Sequence, residues 1–283
     1  MRLMSFRRAD GTTSWGLVDG QEVVDCGASA PSLRAALASG KIGASGSAAA
    51  RSTPRHPLDA ITFLPPIPDP EKIICVGLNY LTHIREGGRD VPKQPTIFTR
   101  FANTQVGHLQ ALIRPAVSDT LDFEGEMAVV IGRRCRHVKR ADGLTSVAGY
   151  SCYNDGSVRE WQRHTSQFTP GKNFPGTGGF GPWITTPEEV GDIAKSTLTT
   201  RVNGEETQRA TIEDLVFDVP ALVEYCSTFT ILEPGDVIIT GTTGGVGAYR
   251  EPPLWLKPGD VVEVEVSGVG VLRNFVVQED TPT

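Results

Sequence analysis

The apolar residues of this chain come in short runs closed by Gly, Pro, Asn or Asp, and that punctuation limits the fold more than any other feature. EKIICVGLNY, PTIFTRF, EMAVVIG, VAGYSCYND, TLTTRVNG, DVIITG and VVEVEVSG each have the length and branched or aromatic content of a strand. Helical signals are fewer: a turn or so at Tyr80–Glu86, a segment at Ser157–His164, and a clearer helix at Val219–Phe229, where Asp218 and Pro220 suggest a cap followed by a first-turn proline. Strands do not alternate with long helices, so a doubly wound sheet is disfavoured and a mixed, β-rich α+β fold is expected.

The first part of the chain reads as a module of its own. MRLMSFRR, SWGLVDG and QEVVDCG are short strand-like runs, Pro31–Ser39 can form a short helix, and Gly40–Ser47 is too rich in Gly and Ser to hold one. LPPIPDP at Leu64–Pro70 has four prolines that favour an extended linker, which divides the chain into a small N-terminal α+β module, 1–70, and a larger domain, 71–283.

Bulk properties exclude several classes of function. With 27 Lys+Arg against 33 Asp+Glu, a net charge of −6 gives no basic field for nucleic acid. No apolar run approaches the ~20 residues of a membrane span, and MRLMSFRRADG is not a signal peptide, so the default expectation is a cytoplasmic protein. The 5 cysteines are odd in number, scattered and never in CxxC, which indicates neither a disulfide framework nor a thiolate zinc site.

The chemistry-bearing residues begin with LDFEGEMAVVIG. Glu124 and Glu126 stand two apart at the start of a strand, where alternate side chains share a face. Two adjacent carboxylates repel each other unless a cation keeps both ionised, although an ExE on a strand is more often a solvated face. VAGYSCYND ends in Asp155, a third oxygen donor at a strand end. Three carboxylates without a paired His or Cys describe a hard-cation site, for Mg²⁺, Mn²⁺ or Ca²⁺ rather than zinc or copper. In GLNYLTHIREGG, His83 and Glu86 are three apart on a candidate helical turn, so the carboxylate can orient the imidazole as a general base; a surface ion pair has the same spacing. Lys172, in TPGKNFPG, could neutralise an anionic substrate or enolate.

Two glycine-rich stretches compete for a nucleotide reading. Gly176, Gly178 and Gly181 match GxGxxG, but Pro175 and Pro182 flank the match and no helix can open after it. ITGTTGGVG, Ile239–Gly247, follows a strand without a P-loop ending. Its amides, with the hydroxyls of Thr242 and Thr243, could form an anion nest, or an ordinary tight turn.

Taken in order, GLNYxxHxxE, DFEGExAVVIG, YNDxSxREWQ, a lysine loop ending in GPW, GDVIITGTTGGVG and PGDVVEVEV resemble the fumarylacetoacetate hydrolase family over about residues 71–275. The resemblance implies a sandwich-like roll of β-strands around a central site, preceded by a small N-terminal β module and usually dimeric. It implies Glu124, Glu126 and Asp155 as metal ligands, with Mg²⁺ or Mn²⁺ the expected cofactor. His83, Glu86 and Lys172 would be the catalytic groups, and Arg159, Gln162 and Thr242 would meet the substrate, a small keto acid. The implied activity is catabolic, metal-dependent hydrolysis of a carbon–carbon bond in a 2,4-dioxo (acylpyruvate-like) acid. Its alternative is isomerisation or decarboxylation of a related 2-oxo or 2-hydroxydienoic acid through the same enolate. Gly156, Thr243 and FPGTGGFGPW depart from the commoner family pattern, which points to an altered pocket wall.

Overall fold

Every residue of the strand Gly125–Ile131 is buried, because its two faces serve two different cores. Met127, Val129 and Ile131 pack with Tyr150, Leu222, Val223 and Cys226, while Ala128 and Val130 pack with Trp15, Tyr153 and Ile184. A strand covered on both sides reads as a continuous apolar run rather than an alternating one. The computed structural model describes residues 1–40, 42 and 53–280, so most of the glycine- and serine-rich stretch 40–47 lies outside the described residues.

This strand is central in a large sheet. Its order is Arg55–Pro57, Glu22–Asp25, Thr13–Asp19, Arg2–Arg7, Gly178–Thr185, Val147–Asp155, Gly125–Ile131, Val237–Ile239, Ile73–Gly77 and Thr96–Arg100. Along that path the pairings are antiparallel except between Val237–Ile239 and Ile73–Gly77. A second sheet runs Glu205–Thr211, Thr197–Val202, Val261–Val266, Gly270–Gln278 and Ala111–Arg114. Leu198, Val264, Val266 and Leu272 of that sheet share the first core with the helix Val219–Phe229, which gives the expected β-rich sandwich. Asp218 caps the helix by accepting from the amide of Ala221 at 2.9 Å.

The N-terminal strands continue the large sheet: Arg2 pairs with Thr185 and Leu3 with Ile184. The short helix Leu33–Ala38 falls where Pro31–Ser39 suggested one, with Ser32 as its cap. Leu64–Pro70 contains neither helix nor strand, and Ile67 within it is fully buried in the second core.

Gly178–Thr185 is an interior strand where the sequence suggested an irregular loop. Small residues are required there, since a Cβ on Gly178 would sit 2.7 Å from the Tyr153 hydroxyl and one on Gly179 would sit 2.7 Å from Oδ1 of Asn274. The literal GxGxxG match is therefore strand packing, not a phosphate loop. Among the described residues, no helix is long and apolar enough to cross a membrane.

Candidate metal centre and acid-base dyad

Antiparallel register brings the acids together. Gly125 pairs with Asn154 and Glu126 with Tyr153, and the Asp155 amide donates to the Glu124 carbonyl at 2.8 Å, so Glu124 and Asp155 face each other across two strands. Glu126 is two residues on and shares their face. One oxygen from each of the three lies within 4.8 Å of the others, and all three side chains are buried. Gly125, between the two glutamates, points away: a Cβ there would collide with the Thr200 hydroxyl, and its amide donates to Gln208 Oε1 at 2.9 Å.

Four buried acids and three buried cations make up this centre. Lys172 Nζ donates at 2.6 Å to both Glu124 Oε2 and Asp155 Oδ2. Arg159 meets Glu124 Oε1 at 2.6 Å through Nη1 and Asp122 Oδ2 at 2.8 Å through Nε. Arg100 Nη1 donates to Asp155 Oδ1 at 2.6 Å. Against Asp122, Glu124, Glu126 and Asp155, the cations Arg100, Arg159 and Lys172 leave one net negative charge, counting His83 as neutral. A divalent cation turns that into one net positive charge, the sign that receives an anionic substrate.

Individual acids show the same imbalance. Burial pushes Glu124 up, but Lys172 and Arg159 overcome it and hold its carboxyl down at about 2. Burial, with repulsion from Asp155 and Glu124, pushes Glu126 well above the ordinary carboxylate range. Glu126 is the acid that a bound cation would keep ionised. An all-oxygen donor set, buried and short of positive charge, fits a divalent metal. Burial disfavours the Lys172 ammonium, but Asp155 and Glu124 more than restore it, so the lysine stays protonated.

His83 lies on the helix Leu81–Glu86, with Nδ1 2.8 Å from Glu86 Oε1. That contact leaves Nε2 as the free ring nitrogen, and the ring packs against Tyr249 at 6.0 Å between centroids. The loop after Val237–Ile239 fixes both groups, and its amides go to the chain's own carboxylates. Gly241 donates to Glu126, Gly245 to Glu86 at 2.8 Å, and Gly247 and Ala248 to Asp122 at 2.8 and 2.9 Å. Asn79, fully buried, ties GLNY to this loop through the Thr240 carbonyl at 2.8 Å.

His83, Glu124, Glu126, Arg159, Gln162, Lys172, Thr242 and Tyr249 line one cavity of about 580 Å³. Glu86 stands behind His83. Gln162 Oε1 accepts from Arg159 Nη1 at 2.9 Å, and Arg159 Nη2 is buried without a protein partner. Thr242 Oγ1 donates to the Gly125 carbonyl at 2.9 Å and accepts from Gln208 Nε2 at 2.8 Å, so its hydrogen is already engaged. Gly156, Thr243 and residues 174–183, which depart from the commoner family pattern, do not line this cavity; Gly156 is instead a tight packing position, where a Cβ would strike the Thr177 carbonyl. Sequence reasoning missed Arg100, Asp122, Gln208 and Tyr249. Only Asp122 carried a local signal, since Asp122, Glu124 and Glu126 alternate.

The fold and this carboxylate-centred site define a member of the fumarylacetoacetate hydrolase family, and the chain belongs to it: residues 72–277 match the family model described as fumarylacetoacetate (FAA) hydrolase C-terminal. Among its relatives is a mitochondrial oxaloacetate tautomerase, FAHD2A, of Bos taurus, 41% identical over 232 residues that cover 81% of this chain and 74% of that protein. A 2-hydroxyhepta-2,4-diene-1,7-dioate isomerase from Mycobacterium marinum superposes with a TM-score of 0.80 at 30% identity, covering 99% of this chain and 100% of that one. A maleylpyruvate hydrolase from Sphingobium sp. SYK-6, solved with manganese(II) and pyruvate, superposes at 0.83 and 29% identity with the same coverage. The chain is thus an enzyme of a family that includes hydrolases, isomerases and tautomerases.

Proposed function

We propose that the protein interconverts keto and enol forms of a 2-oxo dicarboxylic acid by metal-dependent proton transfer at C3. The observation that carries this reading is His83, oriented through Nδ1 by Glu86, lining the same cavity as Glu124 and Glu126, which cluster with Asp155 behind them. A divalent cation held by those three acids, Mg²⁺ or Mn²⁺, would supply Lewis-acid polarisation of the 2-oxo group. Nε2 of His83 removes a proton from C3, and Glu86 stabilises the imidazolium that forms. Lys172 and Arg159 offset the charge that develops on the substrate oxygen, and Nη2 of Arg159 is a buried donor without a protein partner. His83 then returns the proton to oxygen, which completes the enol. Arg89 and Arg163 line the same cavity with no acid paired to them among the described residues, which favours a substrate with a second carboxylate. The 41% identical relative named as an oxaloacetate tautomerase supports the same class.

Hydrolysis of an acylpyruvate-like acid is the second reading, favoured by the likeness to maleylpyruvate hydrolase and by a dyad equally suited to activating water. Oxaloacetate, acetylpyruvate and fumarylpyruvate, each incubated with Mn²⁺ or EDTA, separate the two. Metal-dependent loss of enol absorbance at constant mass supports tautomerisation, release of pyruvate with a second acid supports hydrolysis, and turnover unaffected by EDTA refutes both. We carry the division near residue 70 and a homodimer as further proposals, to be read by limited proteolysis and sedimentation.

A further inference from the structure

Arg100 is the last residue of the strand Thr96–Arg100, and its side chain is completely buried. It does not line the cavity, so it cannot meet the substrate there. Its guanidinium is spent on one corner of the site. Nη1 donates to Asp155 Oδ1 at 2.6 Å and to the Gly156 carbonyl at 2.9 Å, and Nη2 donates to Thr177 Oγ1 at 2.7 Å. Thr177 is itself fixed by donating to the Phe174 carbonyl at 2.7 Å. Glycine at 178 makes the space, since a Cβ there would lie 2.9 Å from Nη2. Burying a guanidinium is costly, and here its charge is balanced at a single carboxylate.

We propose that Arg100 is a positioning residue for the metal centre. By holding Oδ1 of Asp155, it turns Oδ2, the oxygen that Lys172 also contacts, toward the cation and so sets metal affinity without touching substrate. The other two acids are likewise fixed through one oxygen, Oε1 of Glu124 by Arg159 and Oε2 of Glu126 by the Gly241 amide, with Lys172 bridging Oε2 of Glu124 and Oδ2 of Asp155. The proposal rests on the reading that Glu124, Glu126 and Asp155 bind a divalent cation.

The test is titration of the full chain with Mn²⁺, followed by calorimetry and by the electron paramagnetic resonance of the ion, for wild type, Arg100→Lys and Thr177→Val. A lysine cannot reproduce the fork, so R100K is expected to bind Mn²⁺ about tenfold or more weakly, the loss typical of removing a group that orients a metal ligand. T177V removes one anchor of the guanidinium and should cost about threefold; it decides the matter alone if R100K does not fold. At saturating Mn²⁺, KM for oxaloacetate in R100K should stay within about twofold of wild type, as expected of a group that contributes no substrate binding. Mn²⁺ affinities unchanged in the folded variants overturn the proposal, as does a raised KM at saturating metal with unaltered Mn²⁺ binding. Wild-type protein that binds no Mn²⁺ refutes the metal reading itself, a result distinct from both.

Discussion

Replacing Asp122 with Asn removes one charge and swaps one acceptor for a donor, at a fully buried position where every lone pair is in use. Oδ1 accepts from the amides of Phe123 and Gly247, each at 2.8 Å, and Oδ2 from Arg159 Nε at 2.8 Å and the Ala248 amide at 2.9 Å. Asn can satisfy one of these pairs, and the other pair then faces an NH₂ group. Two buried donors without partners cost about 1–3 kcal/mol each. Arg159 keeps Glu124, so the ion-pair loss is partial, and the sum falls near 3–5 kcal/mol, the range for breaking a buried pair. Against a typical total of about 5–15 kcal/mol that is a severe loss, roughly 10 °C in Tm. Urea unfolding of D122N and wild type, with the slope m compared, measures it. Because Arg159 reaches the cavity and the Gly247–Tyr249 turn hangs on the same carboxylate, KM should rise as well. A folded D122N within about 1 kcal/mol of wild type refutes the reasoning, since one unmet buried donor alone should cost that much.

Three further outcomes follow from the same geometry. His83→Ala should abolish turnover of oxaloacetate while Mn²⁺ affinity stays within about twofold, because His83 is not among the carboxylate donors; retained turnover removes His83 from the chemistry. Arg163→Ala combined with Arg89→Ala should raise KM for dicarboxylic substrates about tenfold, the effect of losing one charge-assisted contact, and leave acetylpyruvate unchanged; equal effects on both substrates refute a distal carboxylate site. Burial, aided by Arg273, holds His108 down at about 4, below its ordinary 6.5. The unfolded chain therefore binds the proton first, and the stability His108 contributes, up to about 3 kcal/mol, is complete above pH 6.5 and lost as pH falls towards 4. H108N should flatten the acid side of the stability profile in that window, and a superimposable profile sinks the assignment.

The sequence announces residues whose spacing is itself chemical. Glu124 and Glu126 on one strand face, Asp155 at the end of the next strand, and His83 three residues before Glu86 are all legible because local periodicity fixes which way they point. Arg100 was not, since an arginine closing PTIFTR looks like a strand end emerging into solvent, and only the pairing of Ile73–Gly77 with Thr96–Arg100 turns it inward. Gln208 joins the Gly125 amide to Thr242 from another sheet, a contact that no window of neighbouring residues contains. Gly178–Thr185 was hidden for the opposite reason: its glycines lower strand propensity, yet the crowding by Tyr153, Arg100 and Asn274 demands them.

The N-terminal strand completes its place beside Gly178–Thr185 across a long sequence gap: the Met1 amino group reaches Thr186, 185 residues away. On the ribosome, the edge of Arg2 and Leu3 that pairs with Gly178–Thr185 has no partner until well over half the chain has been made. The hairpin Arg2–Arg7 with Thr13–Asp19 can form early and Thr62–Phe63 can cover Phe6 and Arg7, but the other end of its outer edge stays open through most of synthesis. The active centre is later still, since the donors to Asp122 lie at Gly247 and Ala248. Catalytic competence is therefore expected to arrive in a single late step, after the last third of the polypeptide has emerged.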